Sequence, residues 1–113
     1  MRRVQQVAVV LKKELAPLIR EALDNKFGIV TLIDVIVQPD LKEAKVYISC
    51  LDLTSEKEVL KVLNLKTKQF QHILGRRLRM KFTPRLTFVR DDSLENVVKV
   101  EELLEEIKDK EVN

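Results

Sequence analysis

A chain of 113 residues with 45% apolar and 35% charged side chains has room for one core and one domain spanning 1–113, and too much apolar material for bulk disorder. Its longest nearly apolar run, residues 29–37, is broken by Thr31 and Asp34 and is under half the length a membrane-spanning helix needs. The net charge of +3 hides a division: residues 1–65 carry ten basic and nine acidic side chains, residues 66–90 eight basic and none acidic, and residues 91–113 three basic and nine acidic. The opening residues, MRRVQQVAVVLKKEL, place lysines and a glutamate where a secretory signal needs an unbroken apolar core, so export is not expected. A lone cysteine, Cys50, forms no internal disulfide and fits a buried small hydrophobe in a reducing cytoplasm.

In chain order, Val4, Val7, Ala8, Leu11, Leu15, Leu18, Ile19 and Ala22 recur at helical spacing, with Pro17 expected to bend that helix or divide it and Asn25 and Gly28 suited to ending it. Residues 29–37 are rich in β-branched side chains, and residues 44–50 alternate with Ala44, Val46, Ile48 and Cys50 on one face. With turn chemistry at Gln38, Pro39 and Asp40 between them, the two read as an antiparallel hairpin. Ser55 and Glu58 have capping-box spacing ahead of Val59, Leu60 and Leu63, and a bent or two-part helical region is predicted over 55–81, weakened at Thr67 and Gly75. Thr83 and Pro84 stop it, residues 86–89 form a third strand, and Asp92 or Ser93 caps a last helix with Leu94, Val97, Val100, Leu104 and Ile107 on one side, before a frayed end. The order helix, strand, strand, helix pair, strand, helix predicts an α+β fold. Its three-stranded mixed sheet would have helices on one face, with the crossover between residues 44 and 90 making part of the sheet parallel.

Groups for catalysis are scarce: one histidine and one cysteine on different elements, no metal-ligand spacing, and two glycines too far apart to cradle a phosphate. Glu101, Glu102, Glu105 and Glu106 suit a solvated helix face, so the chain reads as a binding protein without catalytic residues, metal or cofactor. In residues 66–86, KTKQFQHILGRRLRMKFTPRL, a helical projection puts Phe70, Ile73, Leu74 and Leu78 on one side and Lys68, His72, Arg76 and Arg79 on the other. Arg77 and Lys81 fall nearer the apolar side, where long stems can lie along it. A solvated face ordinarily mixes charge signs, whereas unopposed cations repel one another until an anionic partner covers them. Structured RNA, contacted through its backbone, is the expected partner. No amide-rich face for major-groove reading is present, and a membrane-lying helix would lack the covering strands. The candidate RNA-binding residues are Lys66, Lys68, His72, Arg76, Arg77, Arg79, Lys81 and Arg85, His72 being either a plain surface histidine or a phosphate or base contact. A protein-binding adaptor using the last helix, a membrane-surface helix and a general structured-RNA module stay open as alternatives.

Three strings in order and at near-ungapped spacing, RRVQQVAVVLKKEL, FGIVTLIDVIVQPDLKEAKVYIS and GRRLRMKFTPRLTFVRDDS, resemble the ribosome-binding factor A family of bacterial small-subunit assembly factors over nearly the whole chain. That resemblance implies a type II KH-like fold. It also implies a cold-shock-relevant task, the binding of the pre-30S subunit near the 5′ region of the 16S rRNA during late maturation, by a monomer with neither small-molecule substrate nor membrane partner. It further implies a kink of the form alanine, any residue, glycine between the two middle helices; Lys66, Thr67 and Lys68 stand at those positions, a departure that adds two cations.

Overall fold

The structure, a computed structural model, describes residues 3–91. The first helix, α1 (Arg3–Leu23), buries Leu11, Leu15, Leu18, Ile19 and Leu23, and runs unbroken through Pro17 rather than dividing there. It ends in left-handed residues Asp24 and Asn25, and Gly28, at φ +71, completes the turn into the sheet.

Strands β1 (Val30–Val37) and β2 (Glu43–Cys50) pair antiparallel, Val30 opposite Cys50 and Val37 opposite Ala44, with a register shift between Leu32 and Asp34 that leaves Ile33 as the extra residue of a bulge. The expected alternation holds: Ala44, Val46, Ile48 and Cys50 are all buried. Burial pushes the Cys50 thiol above its ordinary pKa, helped by the nearby carboxylates of Glu56 and Asp52, so it behaves as a small core side chain.

The start of the helical region departs from the capping-box reading. Ser55 makes no side-chain cap. Asp52 takes that role instead: its carboxylate accepts the Thr54 amide at 3.0 Å, the Thr54 hydroxyl at 2.6 Å and the Ser55 hydroxyl at 3.1 Å, organising a 3₁₀ turn, Leu53–Ser55. The Thr54 hydroxyl, then the Thr54 amide and the Ser55 hydroxyl, hold that carboxyl below the usual aspartate range. Two helices follow, α2 (Glu56–Leu65) and α3 (Thr67–Leu78), joined at Lys66, whose φ of −100° and ψ of 8° make the kink without a glycine. Strand β3 (Arg85–Arg90) is longer than the predicted 86–89 and pairs parallel with β2, Ala44 opposite Leu86 and Ile48 opposite Arg90.

The sheet order is β1-β2-β3. Helix α1 lies against β1, and α2 and α3 against β3, so all three helices cover one face. Val59, Leu63, Phe70 and Leu74 from the helix pair meet Leu86 and Phe88 there, with Phe70 and Phe88 edge to face, ring centroids 5.7 Å apart. The α+β arrangement is thus the one read from the sequence. The last helix expected from Asp92 or Ser93 onward lies outside the described residues.

Candidate nucleic-acid interface

Helical spacing decides which cations meet. Lys68, His72 and Arg76 stand four residues apart on α3, so they rise along one exposed stripe while Phe70 and Leu74 go into the core from the other. The Gln71 side-chain amide donates to the carbonyls of Pro84 at 3.1 Å and Thr83 at 3.4 Å, drawing the loop after α3 back alongside the helix. That brings Lys81 next to Lys68, His72 and Arg76 around an open cleft of about 480 Å³, which Gly75 also lines.

Lys81 reaches this cleft from a loop, not from a helix. The helix predicted to reach residue 81 stops at Leu78, because Arg79 adopts the left-handed conformation (φ 51°, ψ 39°) and Met80 N–H bonds back to the Gly75 carbonyl at 3.1 Å. Arg79 therefore leaves the stripe where the helical projection put it and turns into a second cleft with Lys81, beside the β1–β2 turn.

The other candidates scatter. Lys66 lines a small cleft against α1 with Glu21 and Ile73, on a different side of α3. Arg77 reaches Glu14 of α1 at 3.5 Å, in keeping with a position nearer the apolar side, and its charge is partly answered there. Arg85 opens β3 on the sheet face away from the helices, since its neighbour Leu86 is buried under them. Among the described residues, no carboxylate lies within ion-pair distance of Lys66, Lys68, Arg76, Arg79, Lys81 or Arg85. The uncompensated charge is thus real, and its dense part is Lys68, Arg76 and Lys81, which share their cleft with His72, with Arg79 around the corner.

Sequence reasoning missed Arg3, Lys42 and Phe82, which share the second cleft with Arg79. Arg3 and Lys42 are remote in sequence from the basic segment and from each other. Phe82 did carry a signal: it falls off the apolar period of α3, and it is exposed where Phe70 and Phe88 are buried. Asn64 and Gln71, whose amides hold β3 and the loop in place, look in sequence like ordinary polar helix residues.

The comparisons with known proteins bear on the fold and the family. The family model for ribosome-binding factor A matches residues 3–104. The ribosome-binding factor A of Coxiella burnetii (strain Dugway 5J108-111) is 38% identical over 104 residues, 91% of this chain and 87% of that protein. A crystal structure of ribosome-binding factor A from Thermus thermophilus superposes with a TM-score of 0.69 at 26% identity, covering 79% of this chain and 97% of that one. A second set of Thermus thermophilus coordinates, a homology model of ribosome-binding factor A fitted into the electron cryomicroscopy map of its complex with the 30S subunit, gives a TM-score of 0.55 at 22% identity, over 74% of this chain and 93% of that one, and bears on the fold alone. A KH-like α+β fold, a matched span from α1 past β3, and relatives of like length carry one name, and the chain belongs to the ribosome-binding factor A family.

Proposed function

We propose that this protein is a noncatalytic assembly factor of the small ribosomal subunit, which binds immature 30S particles through the 16S rRNA and assists late maturation and processing of that RNA. It acts as a cytoplasmic monomer, one domain over 1–113, without cofactor. The observation that carries the reading is the one-sided charge of α3 and its loop: Lys68, His72, Arg76 and Lys81 around one open cleft, with no carboxylate among the described residues to pair with its lysines and arginine. Such a surface neutralises phosphates, while the shape of the domain selects among RNA surfaces. The family membership supports a ribosomal partner, since the matching family model and the relative of like length both carry the name ribosome-binding factor A.

The test is co-sedimentation with immature small subunits across a salt series. Contact with roughly four to six phosphates gives a log–log slope of roughly −3 to −5. Paired reversal, Lys68→Glu with Arg76→Glu, is expected to abolish association while leaving the circular dichroism unchanged, because both side chains lie on the solvent side of α3. A slope near zero, or full binding by the reversed variant, would refute the reading.

A further inference from the structure

The second cleft, of about 690 Å³, differs in kind from the α3 stripe. It lies between the β1–β2 turn and the loop that leads into β3, and Arg3, Lys42, Arg79 and Lys81 bring four cations to it from three separate parts of the chain. Its one carboxylate, Asp40, accepts the Lys42 amide at 2.9 Å and so is engaged in the turn. Among these cations stands Phe82, 79% exposed, the most exposed large apolar side chain of the described residues, with the Lys81 ammonium 5.7 Å from its ring centroid. Two residues lining the cleft, Arg79 at φ 51° and Leu41 at φ 62°, hold left-handed backbone that favours glycine, and such strain gathers where the surrounding structure fixes a site.

An exposed aromatic ring with one ammonium beside it and three further cations lining the same partly apolar cleft matches what unpaired nucleotides require: the ring stacks a base and the cations hold the flanking phosphates. A membrane anchor would present several bulky apolar groups to solvent together, whereas here Leu41 and Met80 are half-buried in the cleft wall and Phe82 alone stands out from it. Resting on the RNA-binding reading above, we propose that this cleft captures a single unpaired base of single-stranded RNA, stacked on Phe82, with the flanking phosphates held by Arg3, Lys42, Arg79 and Lys81. The α3 stripe then tracks backbone, and the cleft distinguishes single-stranded from paired segments, whose bases are already stacked on one another.

The chain contains no tryptophan, so Phe82→Trp places one reporter at the proposed stacking position. Titration with a fluorescein-labelled single-stranded A12 RNA reads binding by anisotropy and stacking by quenching of the tryptophan. A 12-base-pair RNA duplex, heparin and phosphatidylglycerol vesicles serve as the other arms. The expected result is saturable quenching by A12 but not by the duplex or heparin. Phe82→Leu should weaken A12 binding roughly 5- to 100-fold, the loss one stacked base implies, with less than about a twofold change for the duplex, whose affinity is set by phosphate contacts. Binding of A12 without quenching, and unweakened in Phe82→Leu, would overturn the cleft's role while leaving the RNA reading intact on the α3 stripe. Equal quenching by heparin would show a plain anion site and overturn the proposal. A blue shift with vesicles in place of quenching by RNA would assign the cleft to a membrane. No binding to A12, duplex or immature small subunits would end both readings.

Discussion

Arg79 sits where helices most often end on glycine. Its φ of 51° closes α3 by letting Met80 N–H reach the Gly75 carbonyl, and an L-residue with a Cβ holds that conformation at a cost of about 1 kcal/mol. Glycine would do the geometric job better, so the retained guanidinium is best explained by what it faces, the cationic second cleft. Arg79→Gly is therefore expected to raise stability by about 0.5–1 kcal/mol, read as a higher urea midpoint at constant m. The same variant should bind single-stranded RNA more weakly, so that stability and binding move in opposite directions. A variant that gains stability with undiminished RNA affinity would show that this arginine contributes nothing at the surface. The left-handed turn was not legible in the sequence, because arginine has no preference for it; only the backbone after α3, pulled back by Gln71, demands it. The stripe of Lys68, His72 and Arg76 was legible, since it depends on helical spacing alone.

Strand β3 lies at an edge of the sheet, where unpaired backbone groups would invite another strand. Helix α2 covers part of that edge chemically. The Asn64 amide accepts the Phe88 N–H at 2.9 Å and donates to the Phe88 carbonyl at 3.1 Å, mimicking one rung of a fourth strand. Gln71 of α3 donates in the same way to the Pro84 carbonyl just before the strand. Asn64→Ala removes both partners of a half-buried backbone unit and is expected to cost about 1–2 kcal/mol in urea unfolding, with faster exchange of the Phe88 amide. Unchanged stability would mean that water satisfies the edge equally well. The strands and the packing faces of the helices were readable from period-2 and period-3.6 patterns, as at Ala44, Val46, Ile48 and Cys50. The element ends were less so. Capping passed from Ser55 to Asp52, whose carboxylate gathers three donors at once, and α3 lost its last three predicted residues to the turn at Arg79. Pairings such as Asn64 with Phe88 span 24 residues and have no local pattern to betray them.

Over the whole molecule, charge is mixed up to residue 65 and divided by sign beyond it, a basic segment being followed by an acidic one. Residues 92–113 carry three basic and eight acidic side chains, so they contribute −5, while residues 1–91 contribute +8. A tethered anionic segment lowers the attraction of the cationic surface for any RNA through the general field, and it does so whatever its path, as long as it stays within a Debye length or two. Matched contacts with a shaped RNA surface are short-range and lose less to that field than diffuse encounters do, so the segment acts on selectivity more than on cognate affinity. Replacing Glu101, Glu102, Glu105 and Glu106 with glutamine moves the net charge from +3 to +7 without shortening the chain. The field then repels RNA less. Affinity for an unrelated RNA duplex at about 50 mM salt should rise several-fold, a change on the order of 1 kcal/mol. The gain should vanish by about 0.5 M salt, where the Debye length is near 4 Å, and binding to immature small subunits should change by a smaller factor at each salt. Equal duplex affinity for both proteins at the low salt would remove the acidic segment from the electrostatics of RNA selection, and a gain that persisted at high salt would assign it a contact role in place of a field.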